Sequence, residues 1–147
     1  MLLKLSGKEI EDNWEAIKTA LVMSALPLAD KSPEKIQNIL TSLLDGRSIC
    51  WAAFSGSLIT TVVITTMIVE ELSQTKNLLV YCAHGFRKHS GKEYFRMAEI
   101  IGDYAVDSGC IGVMLYSSND RLTDLLVKHG ARADYRFVVF PLLQKST

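Results

Sequence analysis

The run from Leu58 to Val69 constrains what this chain can fold into more than any other segment. It is rich in β-branched residues, which lose rotamer freedom in a helix and pack well on a pleated sheet. Thr60, Thr61, Thr65 and Thr66 interrupt it, and it falls well short of the ~20 apolar residues that span a bilayer. The run therefore reads as a long strand buried on both faces. Ser55-Gly56-Ser57 before it is a tight turn, and Ser48 to Phe54 is a strand, so the two make a hairpin.

Period and punctuation set the elements around that hairpin. Leu2 to Leu5 suits a short first strand. Ile10, Trp14, Ile17 and Leu21 recur at helical spacing, which predicts an amphipathic helix from Lys8 to about Leu26, ended by Pro27. Ser32-Pro33 is an N-cap followed by a first-turn proline; Ile36, Leu40, Leu43 and Leu44 then mark a helix that stops near Asp45-Gly46. After the hairpin, Glu70 to Asn77 is polar and Leu78 to Ala83 is a third strand. Tyr94, Met97, Ala98, Ile101 and Ala105 mark a helix from about Ser90 to Asp107, which Gly109 closes. Cys110 to Tyr116 is a strand, and Leu122, Leu125, Leu126 and His129 share one stripe of a helix that Gly130 ends. Tyr135 to Leu142 is the last strand.

This order, β-α-α-β-β-β-α-β-α-β, predicts an α/β fold with a mixed, mostly antiparallel central sheet and helices on both faces. The strands Ser48–Phe54, Leu58–Val69 and Leu78–Ala83 are expected to be antiparallel neighbours. Cys110–Tyr116 should run parallel to Leu78–Ala83, because a helix crosses over between them.

A length of 147 residues suits a single domain over 1–147, with a real core. Lys plus Arg and Asp plus Glu both number 16, and a zero balance argues against nucleic acid as a partner. The three cysteines, Cys50, Cys82 and Cys110, have no metal-type spacing and read as reduced, buried thiols. The histidines share no ligand spacing with a carboxylate or thiol, so no metal is expected. Trp14 and Trp51 read as core anchors. No secretory signal or membrane span is visible, and a cytoplasmic protein is expected.

Two segments carry chemistry. The first, His84-Gly85-Phe86-Arg87-Lys88-His89-Ser90-Gly91-Lys92, has three fixed positive charges, two histidines and no acid, between a strand and a helix start. A helix start offers unpaired N–H groups and a positive dipole end to an anion, and glycine lets the backbone come close. The alternative is a solvated basic loop with Ser90 as a plain cap. The second runs from Ser117 to Gly130, a strand end feeding a short helix capped by Asn119 or Ser118.

Together these segments resemble the GNAT superfamily of N-acetyltransferases, and the element order is similar along nearly the whole chain. The family's pyrophosphate loop has the form Q/R-x-x-G-x-G/A, and Lys88-His89-Ser90-Gly91-Lys92-Glu93 is the nearest match, with Glu93 in place of the last small residue. Its second motif, N-x-x-A-x-x-x-Y-x-x-x-G-F, has the Asn119 to Gly130 spacing. There Leu122 stands at the Ala position, Ala131 at the Phe position, and Leu126 where the family's Tyr serves as general acid. A closer likeness is to small GNAT-like phage virion or assembly proteins, in the Ser90-Gly91-Lys92 helix start and the short C-terminal helix.

The resemblance implies an acyl-CoA N-acyltransferase fold, with acetyl-CoA or another acyl-CoA as co-substrate. The strand Leu78–Ala83 would splay from its neighbour, with backbone near Tyr81, Cys82 and Ala83 holding the pantetheine arm. Arg87, Lys88, His89, Ser90, Gly91 and Lys92 would bind the pyrophosphate, and Asn119 also falls in the cofactor-binding set. The acceptor, a small-molecule or protein amine, would approach over the two early helices. That strand has no carboxylate base, and Glu70 and Glu71 read as solvated. Tyr81 and His84 are the titratable side chains near the reacting centre, and histidine suits a base near neutrality. His89 is read as a support for the basic loop.

Two functions follow: a weak N-acyltransferase, or a non-catalytic GNAT-fold structural or assembly protein, for example of a phage virion. The departures at Glu93 and Leu126 favour the second; the basic loop and Asn119 favour the first. Self-association or membership of a larger assembly is open under both.

Overall fold

Leu58–Glu70 is the middle strand of a five-stranded sheet in the computed structural model, which describes residues 1–24, 31–117 and 119–142. In chain order the elements are β1 (Leu3–Lys4), α1 (Gly7–Asp12), α2 (Trp14–Ser24), α3 (Pro33–Leu44), β2 (Ser48–Ser55), β3 (Leu58–Glu70), β4 (Thr75–Gly85), α4 (Gly91–Asp107), β5 (Gly112–Leu115) and α5 (Asp120–Lys128). The chain divides into two compact units, 1–116 and 117–147.

In the first unit the sheet order is β1-β2-β3-β4-β5, and only the β4–β5 pair is parallel. That is the arrangement expected from a hairpin-linked meander followed by a helical crossover. The register pairs Trp51 with Val63, Ile64 with Cys82 and Val62 with His84. Cross-strand partners share a face, so each face gathers its own core. On one face Cys50, Ala52, Val62, Ile64 and Cys82 pack against Ile10, Ile17, Ala20, Leu21, Ile36 and Leu43 of the three early helices. On the other, Trp51, Ala53, Val63 and Leu78 pack against Ile101 and Ala105 of α4. Each buried aliphatic side chain contributes about 1.5–3 kcal/mol relative to exposure.

β3 is buried on both faces from Thr60 to Thr65 and then runs out, with Val69 48% exposed. The hydroxyls of its three buried threonines are satisfied, as buried polar groups must be. Thr60 Oγ1 donates to the Ala53 carbonyl at 3.2 Å, Thr65 Oγ1 accepts from Trp51 Nε1 at 3.0 Å, and Thr61 Oγ1 bonds the His89 ring.

Three local expectations change. The first helix is two: at Asn13 the backbone leaves the helical region (φ −112°, ψ 16°), and its side-chain Nδ2 donates to the Glu9 carbonyl at 2.8 Å. A short polar side chain competing for helix carbonyls in this way breaks the helix there. Pro27 as terminator, and Ser118 as alternative cap, lie outside the described residues. The strand Leu78–Ala83 is longer at both ends than its apolar run, because β3 supplies partners from Glu70 to Thr61. The last strand, Tyr135 to Leu142, is corrected: residues 131–142 form no strand, and Tyr135, Val138 and Phe140 are 83%, 82% and 90% exposed. The apolar, β-branched and aromatic run supplies propensity, but a strand needs a neighbour for its backbone groups, and no ladder forms here among the described residues.

Among the described residues no helix is long and apolar enough to cross a membrane.

Candidate functional site

β5 pairs with β4 only from Asn77 to Val80. The next residues of β4, Tyr81 to Gly85, have a sheet neighbour on the β3 side alone among the described residues. Tyr81 is the extra residue of a bulge, since Ile64 pairs with Cys82 and Thr65 with Val80. A bulge bends and twists its strand. The pairing with β5 stops next to that point, which leaves a stretch of backbone able to receive an extended ligand.

The side chains on this stretch differ in kind. Cys82 is buried and faces α2, with Sγ 3.2 Å from Ser24 Oγ and donating to the Ala20 carbonyl at 3.5 Å. Burial raises its thiol, and a hydrogen bond from Ser24 partly offsets this. Cys50 is pushed up to about 12, by burial first and then by Cys82. Neither thiol is a nucleophile near neutrality. Tyr81 packs partly buried on the same core, and burial, then Cys82, raises its phenol. His84 shares the face of Val62, its partner in register, and its ring meets Phe86 edge-on at 4.8 Å. Ala83 is exposed. Glu70 and Glu71 are exposed too, and Glu70 is spent on the β3–β4 turn, accepting from the Leu72 and Ser73 N–H groups and the Ser73 hydroxyl.

Beyond β4 the chain folds back over Gly85, where an added Cβ would lie 3.1 Å from the Arg87 carbonyl oxygen and 3.2 Å from His89 Cδ2. A side chain there would have to push the loop back by a few tenths of an ångström, so glycine favours this close fold. The His89 side chain is 2% exposed. Its Nε2 bonds the Thr61 hydroxyl and lies 3.3 Å from the Thr60 carbonyl oxygen; its Nδ1 lies 3.0 Å from Glu93 Oε2. A carboxylate only accepts, so Nδ1 carries the proton. His89 thus rivets the start of α4 to β3.

Ser90 and Glu93 form a reciprocal capping box. Ser90 Oγ accepts from the Glu93 N–H, and Glu93 Oε1 accepts from the Ser90 N–H, each at 3.2 Å. Arg87 Nη2 donates to Glu93 Oε2 at 2.9 Å, and Nη1 donates to the Lys88 carbonyl at 2.9 Å. Glu93 is held down at about 2, by Arg87 first, then by His89 and the Ser90 N–H. Lys88 and Lys92 are exposed, and a Cβ on Gly91 would meet nothing within 4 Å. A cleft of about 450 Å³ opens beside this cluster, with Arg87, Glu93, Arg96, Leu2, Phe54 and Met97 among its lining. Reasoning from sequence missed Arg96 and the convergence on Glu93. The Ser-x-x-Glu capping signature was the available signal for the second.

In the second unit, Asn119 Oδ1 accepts from the Leu122 N–H at 3.2 Å, which makes Asn119 the N-cap of α5. Gly130 takes φ +98°, and the Ala131 N–H donates to the Leu126 carbonyl at 3.0 Å, closing the helix. Leu126 is half-buried. Among the described residues no group of three or more His, Cys, Asp or Glu could hold a metal.

No family model matches the chain, and no curated protein matches it. Solved structures do match its fold. It is similar to a predicted acetyltransferase with acetyl-CoA from Clostridium acetobutylicum, at TM-score 0.73 and 13% identity, covering 96% of this chain and 95% of that one. It is similar to a ribosomal-protein-alanine N-acetyltransferase from Brucella melitensis biovar Abortus 2308, at TM-score 0.68 and 14% identity, covering 97% and 99%. An aminoglycoside acetyltransferase from an uncultured soil metagenomic sample, in complex with sisomicin, matches at TM-score 0.68 and 13% identity, covering 99% and 96%. The chain has the α/β fold of the GNAT acetyltransferases. These neighbours give the phage-protein resemblance no support.

Proposed function

We propose that this chain, with residues 1–147 as one domain, is a weak N-acyltransferase that moves an acyl group from acyl-CoA to a primary amine. The observation that carries this reading is the one-sided stretch of β4, Tyr81 to Gly85, leading into the α4 N-terminus within an acetyltransferase fold. The acceptor is a small-molecule or protein amine. Acyl-CoA supplies the electrophilic thioester carbonyl. Backbone groups near Tyr81, Cys82 and Ala83 hold the pantetheine arm in extended form, and Lys88, Lys92 and the Gly91 backbone face the phosphates. His84 takes the proton from the incoming ammonium, so that its nitrogen can attack the carbonyl. Tyr81, whose phenol stays protonated, donates a hydrogen bond toward the departing sulfur as the C–S bond breaks, and CoA leaves as a thiolate that takes up the second proton shed by the nitrogen as it becomes an amide. Leu126 offers no proton where the family's acid stands, so positioning and backbone polarisation of the carbonyl remain the main catalytic terms.

Calorimetric titration with acetyl-CoA, followed by thiol release with a panel of primary amines, tests the reading. Saturable binding with slow, amine-dependent release is expected. Absence of binding at millimolar acetyl-CoA overturns it.

A further inference from the structure

We propose that Glu93 is an internal anion that stands in the place of the co-substrate's pyrophosphate, so that this protein draws its donor affinity from the pantetheine half and little from the nucleotide. The inference rests on the acyltransferase reading and deepens it.

Glu93 gathers the donors that a phosphate at this helix start would need. Arg87 Nη2, His89 Nδ1 and the Ser90 N–H reach its two oxygens at 2.9, 3.0 and 3.2 Å. The arrangement is anchored from behind. His89 is fixed to Thr61 and packed against Gly85, and the second arm of Arg87 is held by the Lys88 carbonyl. An incoming pyrophosphate meets a carboxylate of like charge, and gains Arg87 and the Ser90 N–H only by displacing it. The positive charges left without an ion-pair partner among the described residues of this loop are Lys88 and Lys92, both exposed, and solvated lysines attract phosphate without fixing it.

The substitution Glu93→Gln tests this directly. Glutamine keeps the capping-box acceptor toward the Ser90 N–H, so α4 keeps its start, while the negative charge that pairs with Arg87 is removed. Binding of CoA and of pantetheine is measured by calorimetry for the wild type and the variant. The expected result is wild-type affinities for CoA and pantetheine within a few-fold of each other. In Glu93→Gln, CoA should bind about tenfold more tightly, or about 1.4 kcal/mol, with pantetheine unchanged. Adding Arg87→Gln to Glu93→Gln should erase the gain, because the freed guanidinium is its source. Glu93→Gly, which restores the family's small residue, serves as the second variant if Glu93→Gln folds poorly. Wild-type CoA binding far tighter than pantetheine, with no gain in either variant, would overturn the inference and leave the acyltransferase reading standing. Failure of every form to bind either ligand would overturn the acyltransferase reading itself.

Discussion

Replacing His89 with alanine should loosen the junction between β3 and α4. The ring is 2% exposed and bonds the Thr61 hydroxyl, whose residue is itself 4% exposed. Removing the ring leaves that hydroxyl buried and unpaired, which costs about 1–3 kcal/mol. The Thr60 carbonyl loses less, because it still accepts from the Phe86 N–H at 2.9 Å. Glu93 keeps Arg87 and the Ser90 N–H and is 41% exposed, so its lost contact adds little. The vacated volume against Gly85 and Tyr94 adds a packing term, for a total of about 2–4 kcal/mol. For a chain of this size 1 kcal/mol is about 2–4 °C in Tm, so a loss of about 3 kcal/mol lowers Tm by about 6–12 °C. Urea unfolding followed by circular dichroism measures this, with His89→Phe as the companion. Phenylalanine refills the space without the hydrogen bonds and should recover the packing share alone. A His89→Ala loss below about 0.5 kcal/mol, the size of an ordinary surface change, would refute the rivet.

Other consequences are open to measurement. Glu93 titrates at about 2 against an ordinary 4.5, so its folded-state pKa is depressed. The stability this linkage contributes is complete above about pH 4.5 and is lost as the pH falls through 2; a side-chain carboxyl midpoint near 4.5 by NMR would contradict the clasp. Cys50 and Cys82 are buried with raised thiols while Cys110 is half-buried. In the folded protein a chromogenic disulfide reagent should therefore modify Cys110 first, and all three only on unfolding; equal rates would show that the core is open. On the proposed acyltransferase reading, Leu126→Tyr should raise turnover, since general acid help is typically worth about 10²–10⁴ in rate. An unchanged kcat in a variant that binds acetyl-CoA would remove that assignment.

Most of the element order was legible before the structure, because its signals are local. The β-branched run of β3, the Ser-Pro start of α3, the caps at Ser90 and Asn119, and the closing glycines Gly109 and Gly130 each depend on a few adjacent residues. The parallel pairing of β4 with β5 followed as well, since a crossover helix leaves no other direction. For the candidate site, the segments were legible and the contacts were not. Arg87, His89, Ser90 and Glu93 could all be named from the sequence as a basic loop, a support and a departure from a motif.

Which partners those side chains bond is set by the fold. His89 finds its partner on Thr61, 28 residues earlier, and the carboxylate that breaks the family pattern proves to be the anion of its own loop. The bulge at Tyr81, the early end of the β5 pairing and the absence of a strand ladder over the described residues 131–142 are of the same kind. Each is settled by whether a distant strand supplies backbone partners. Propensity and spacing act over a turn or a strand length, whereas hydrogen-bond satisfaction is a property of whatever the fold brings alongside.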